Sequence, residues 1–234
     1  MIAYTAYLSG LYCFLIVFVY LRARKINQTK DALDLGLLLM IFGFIGARLF
    51  HVFYENPEHY REDWLRVFQI WYGGFVFYGG AICAFTACVL LIHARKLDWK
   101  FWFDFYTPVV ALGYGLGRFS CYMAGCCYGR TCELPWSVDG RHPTQLYALF
   151  WELCLLAVLS ILSFKKLIKT PGKLFFFWLM GHSLGRIVME YYREDFRGGL
   201  WWGQSISTWL SLFFLFCSLV GIINLKISVK SQNT

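Results

Sequence analysis

The sequence predicts an all-α membrane protein of about seven transmembrane helices, N-terminus outside and C-terminus cytoplasmic. Three observations carry this. The 234-residue chain is 59% hydrophobic, 21% aromatic and 15% charged, with a mean hydropathy of +0.52, against about 45–50% apolar and 25% charged in soluble domains. Seven apolar runs, 3–21, 33–54, 73–93, 103–124, 144–164, 173–191 and 205–225, lie near the ~20 residues a spanning helix needs. Every lysine falls after the first, third, fifth or seventh run, and by the positive-inside rule that side is cytoplasmic.

The elements follow in order. Run 3–21 has no basic segment before it, so it reads as a retained span rather than a cleaved leader. Arg22, Arg24, Lys25 and Lys30 close it on the inner side, and Arg95, Lys96 and Lys100 do the same after the third run. Lys165, Lys166, Lys169 and Lys173 follow the fifth run, and Lys226 and Lys230 the seventh. The remaining basic residues are arginines on the outer side or within spans. Short loops and one compositional class throughout predict a single polytopic domain, 1–234. The net charge of +8 belongs to these loops and to anionic lipid, not to nucleic acid.

The second, fourth and sixth runs each carry one deep arginine: Arg48, Arg118 and Arg186. Each lies some 13 to 15 residues past the inner end of its run, roughly 20 Å up at the helical rise. A charge at the centre of a membrane helix costs roughly 2.5–3.5 kcal/mol, so such groups face a bundle interior or a wet cavity. The expectation is one shared cavity in which the three guanidinium groups hold an anion. Snorkelling and a carboxylate partner are the alternatives.

Four further stretches carry polar chemistry. Segment 71–80, WYGGFVFYGG, puts Tyr78 between the pairs Gly73/Gly74 and Gly79/Gly80, where helix packing and close approach to a ligand both fit. Segment 141–147, RHPTQLY, brings His142, Gln145 and Tyr147 to the start of a helix, an end that favours anions. In segment 181–197, His182, Arg186 and Glu190 are spaced i, i+4, i+8 on one face. Glu190 is positioned to pair with Arg186 or another arginine. A base needs a neutral imidazole, and a neighbouring guanidinium favours that form. Cys126, Cys127 and Cys132 cluster as CCYGRTC, where a loop disulfide and resting thiols both fit and the spacing does not favour zinc.

Taken together, GARLFHVFY, GGFVFYGG, GLGRFSCYMAGCCYG, RHPTQLY and GRIVMEYYRED, in this order, resemble the prolipoprotein diacylglyceryl transferase family. That resemblance implies a seven-span enzyme of the bacterial cytoplasmic (inner) membrane. Its activity would move the diacylglyceryl group of phosphatidylglycerol to the lipobox cysteine of a preprolipoprotein, recognised with its signal peptide, and release glycerol phosphate. It also implies that Arg118 and Arg186 are essential, that Glu190 is the acidic partner and that Gly129 closes the signature. The chain departs from the family pattern in places. Tyr78 stands where many members have histidine, and Cys121 and Cys126 fall on the signature's asparagine and acid. Ala148 replaces a glutamate with Glu152 one turn on, and His182 takes a tyrosine position.

The expected catalytic set is therefore Arg118, Arg186, Tyr78, His182 and Glu190. Substrate contacts are expected from Arg118, Arg186, Arg48, Gly79, Gly80, Cys121, Gly129, His142, Gln145 and Tyr147. Arginine grips phosphate bidentately and stays charged in a dry site, so the chemistry asks for no metal and no cofactor. Two other readings are an anion transporter, whose broken half-helices are not evident, and a diverged member with another acceptor.

Overall fold

The computed structural model describes residues 2–69, 74–194 and 202–232. Its long helices are α1 (Ile2–Arg24), α2 (Thr29–Phe50), α4 (Phe77–Ala94), α5 (Trp99–Met123), α6 (Thr144–Phe164), α7 (Lys173–Tyr192) and α8 (Ile206–Gln232), with a one-turn helix α3 (Pro57–Arg61). Each apolar run of the sequence falls on one of the long helices. Among the described residues there is no sheet, only three isolated bridges near the loop after α5.

Among the described residues, four helices are long and apolar enough to cross a membrane: Ala6–Arg24, Thr29–Tyr54, Thr144–Phe164 and Ile206–Ile227, with Tyr78–Ala94 a shorter apolar helix. α5 and α7 are as long, but they carry Asp104, Arg118, His182, Arg186 and Glu190. These charged and polar groups dilute the apolar character of both helices. Large apolar side chains stand exposed along the helices, among them Ile41, Val158, Phe213 and Ile223, the surface expected of helices bathed in lipid.

The chain divides into two compact units: Ile16–Trp99, and Met1–Leu15 with Lys100–Thr234. In the first, α2 and α4 pack closely through glycine. A Cβ on Gly80 would lie 2.6 Å from the Gly43 carbonyl oxygen, and one on Gly46 would lie 2.5 Å from the Gly79 oxygen. Backbones that approach this closely leave room for hydrogen only. Arg95 fastens the two helices at their other ends through Asp31 and Asp34, at 2.6 Å each.

In the second unit, Ala111, Leu159 and Trp178 form a buried cluster joining α5, α6 and α7. α7 begins after Gly172 and makes no cap of its own. The carboxylate of Asp104 on α5 caps it instead, accepting from the Gly172 N–H at 2.7 Å and the Phe175 N–H at 2.8 Å. Tyr7 ties α1 to α5 by donating to the Leu116 carbonyl at 2.8 Å.

Candidate active site

Arg118 and Arg186 come together in the second unit. The Arg118 guanidinium lies over the Tyr114 ring, 4.8 Å from its centroid, and hydrogen-bonds with the Tyr114 side chain. Arg186 pairs with Glu190 at 3.3 Å, one turn on, with both side chains 13% exposed. Arg193, which the motifs did not single out, completes the cationic group. It is buried, and it acts electrostatically on both Arg118 and Arg186. Among the described residues, three guanidinium groups stand against the carboxylates of Glu190 and Glu152, an excess of positive charge that suits an anion.

A small cavity opens beside this group, lined by Tyr114, Trp151, Glu152, His182, Arg186 and Met189 over the small residues Ala148 and Gly185. Glu152 is 1% exposed and both its oxygens are used. Trp178 Nε1–H donates to Oε2 at 3.0 Å, and His182 Nδ1 pairs with Oε1. A carboxylate that accepts on both oxygens requires the proton on Nδ1 of His182. The ring is held from two further sides, by Tyr114 at 4.6 Å edge-on and by Trp178 at 5.1 Å. The immediate partner of the imidazole is therefore a carboxylate on the next helix, not the Arg186 that sequence spacing suggested.

The loop between α5 and α6 closes over the same unit. Gly129 N–H donates to His142 O, His142 N–H to Arg130 O and Arg130 N–H to Tyr192 O, at 2.8 to 2.9 Å. Gly129 has no room for a side chain, since a Cβ would meet Tyr192 O at 2.6 Å and His142 Cβ at 2.7 Å. This stitching sets Arg193 opposite Gly129 and explains why Arg193 reaches the site despite lying beyond the end of α7. His142 and Tyr147 share a hydrogen bond at 3.1 Å, and Trp136 donates to the same phenol at 2.9 Å. Gln145 is buried and donates to the Cys126 carbonyl, while Thr144 donates to the Cys127 carbonyl at 2.8 Å.

All nine cysteines are free thiols. The sequence grouped Cys126 and Cys127 with Cys132, whereas the fold groups them with Cys121 at the end of α5. Hydrogen bonds from the Cys121 and Cys126 thiols, then the fields of Arg193 and Arg118, hold the Cys127 thiol well below the usual thiol range. The same hydrogen bonds push Cys126 up.

Arg48, Tyr78, Gly79 and Gly80 belong to the first unit. Arg48 is 6% exposed and spends its donors on backbone carbonyls: Nε on Val67 at 3.0 Å, Nη1 on Gly74 at 3.1 Å and Nη2 on Arg66 at 2.7 Å. Its ring neighbours are Tyr60 and Phe75. These bonds tie Arg48 to backbone carbonyls that follow α2. Gly79 and Gly80 make the α2–α4 contact, and Tyr78 sits in the first turn of α4. Gly73 and Arg197 lie outside the described residues.

The family model for prolipoprotein diacylglyceryl transferase matches residues 4–224. Relatives named phosphatidylglycerol--prolipoprotein diacylglyceryl transferase are similar over most of their length. That of Nitrosospira multiformis is 32% identical, covering 97% of this chain and 81% of its own. The Bordetella avium protein is 35% identical over 86% and 83%, and the Haemophilus influenzae protein 32% over 82% and 80%. A chain matched this completely, with a net cationic, half-buried arginine site in its helical core, belongs to the prolipoprotein diacylglyceryl transferase family.

Proposed function

We propose that this chain is a phosphatidylglycerol–prolipoprotein diacylglyceryl transferase whose chemistry is run by the Arg118–Arg186–Arg193 group and the Glu152–His182 pair. The enzyme is a single polytopic body of the bacterial inner membrane, crossing it seven times with the N-terminus outside. The observation that carries the reading is a cavity lined by Arg186 and a carboxylate-held imidazole, with Arg118 and Arg193 close enough to act on Arg186.

The phosphodiester anion of phosphatidylglycerol sits against Arg118 and Arg186, whose planar forks match its oxygens in pairs. Arg193 adds charge without needing to touch the lipid. The lipobox thiol of the preprolipoprotein then faces the glyceryl carbon. A free thiol ionises near pH 8.5, so it needs a base or a positive field. With Nδ1–H committed to Glu152, the imidazole presents Nε2 as the acceptor for the thiol proton. The sulfur attacks the carbon, the carbon–oxygen bond to phosphate breaks, and glycerol phosphate leaves. The arginines offset the charge that collects on the departing phosphate, the kind of preorganised stabilisation that contributes most in a dry site. Glu190 keeps Arg186 in its rotamer. Tyr78 is a second proton carrier, and His142, Gln145, Tyr147 and Gly129 shape the mouth through the loop they hold. Neither a metal nor an organic cofactor takes part.

The test is release of glycerol phosphate from labelled phosphatidylglycerol in proteoliposomes, with and without a lipobox peptide. Release that requires the peptide, with the diacylglyceryl group found on its cysteine, supports the reading. Release without it, or none, removes it.

A further inference from the structure

We propose that Cys121, Cys126 and Cys127 form a three-thiolate site for a thiophilic d10 cation, Cu(I) or Zn(II). Their sulfur atoms all lie within 4.8 Å of one another. A trigonal thiolate centre with metal–sulfur bonds of about 2.3 Å needs sulfurs about 4.0 Å apart, so closure takes less than one ångström of movement per pair.

The ligands are held before any ion arrives. Cys121 rides on the last turns of α5. The Cys126 N–H donates to the Cys121 carbonyl at 3.1 Å. The first turn of α6 grips the other two: Gln145, 1% exposed, donates to the Cys126 carbonyl, and Thr144 donates to that of Cys127. Cys127 itself is fixed in the left-handed region at φ 64°, a conformation a cysteine keeps only when its neighbours impose it. Cys126 is exposed and offers the entry path, while the other two are half-buried.

Charge favours the complex. Three thiolates around Zn(II) carry one net negative charge, and around Cu(I) two. Arg118 and Arg193 both act on this cluster and stabilise the anionic centre. The thiols that are still protonated release their protons to water on binding, and no oxidant is needed. Cys132 takes no part, because its sulfur is not in the group. A bound centre would also compete with phosphate for Arg118. That consequence rests on the phospholipid reading above, whereas the binding does not.

The experiment is titration of the reduced, full-length protein in detergent micelles with Zn(II) and with Cu(I) against a chromophoric chelator. One equivalent of either ion should bind. Cys121→Ser, Cys126→Ser and Cys127→Ser should each weaken it at least tenfold, and Cys132→Ser should leave it unchanged. A second measurement needs no variant: the ion should slow alkylation of Cys121, Cys126 and Cys127 in the unmutated protein, mapped by peptide mass, and spare Cys132. Failure to bind either ion, equal loss with Cys132→Ser, uniform alkylation, or a disulfide among the three in the untreated protein would each overturn the site.

Discussion

Half-buried His182 on α7 pairs with buried Glu152 on α6, the imidazole Nδ1 against one carboxylate oxygen while Trp178 occupies the other. The pair fixes the tautomer of His182 and aims its other nitrogen. Glu152→Gln keeps the shape and removes the negative charge. The expected outcome is a fall in kcat of about 10²-fold, the scale of one general base, with KM for phosphatidylglycerol nearly unchanged. Glu152→Asp should recover part of it. A KM rise equal to the kcat loss would assign Glu152 to lipid binding instead.

Arg118→Lys and Arg186→Lys keep the charge but lose the fork. Each should lower kcat/KM by about 10²–10³-fold, the cost of one preorganised donor at a developing anion. Arg193→Ala should also lower it, because its charge reaches both arginines, but by less, about tenfold. Glycerol phosphate release from vesicles checks all three.

Cys127 is expected to be a thiolate at pH 6, since its thiol lies well below the usual range. Its alkylation rate should then stay flat from pH 6 to pH 8. Free cysteine, with a pKa of about 8.5, speeds up nearly tenfold per pH unit there. Mass-mapped labelling after short pulses reads this directly. Arg193→Ala should restore part of the pH dependence.

Asp104 caps α7 from another helix. Asp104→Ala should destabilise the protein by about 0.5–2 kcal/mol, as loss of an N-cap does, and lower the thermal midpoint in detergent by a few degrees. Lipid affinity measured below the transition should hold.

Gly80→Val should be far more damaging than Gly117→Ala. The first forces a side chain against the Gly43 carbonyl, where overpacking costs about 1–3 kcal/mol. The second meets nothing within 4 Å and replaces a poor helix former with a good one. Thermal midpoints of the two variants decide the point.

Much of this was legible from residue order alone. Each apolar run became a helix because hydrophobicity and length are local properties. Arg118, Arg186 and Glu190 stand out in the sequence because each is a charge inside an apolar run, and the Arg186–Glu190 contact follows from helical spacing. Glu152 was visible as a displaced acid, but its bond to His182 joins residues 30 apart, and no periodicity within one helix reports on its neighbour. Arg193 lies beyond its run, and a bridge to Gly129 in the loop between α5 and α6 holds it there. Arg48 looked the same as the other two deep arginines, yet nearby carbonyls take its donors.

Sequence by itself determined the all-helical class, the family and the two central arginines, since each depends on composition or on residues close along the chain. Tertiary structure decided which groups share a cavity, which guanidinium is spent on backbone, and which cysteines stand together. Those outcomes depend on distances between helices, and only the packed chain sets them.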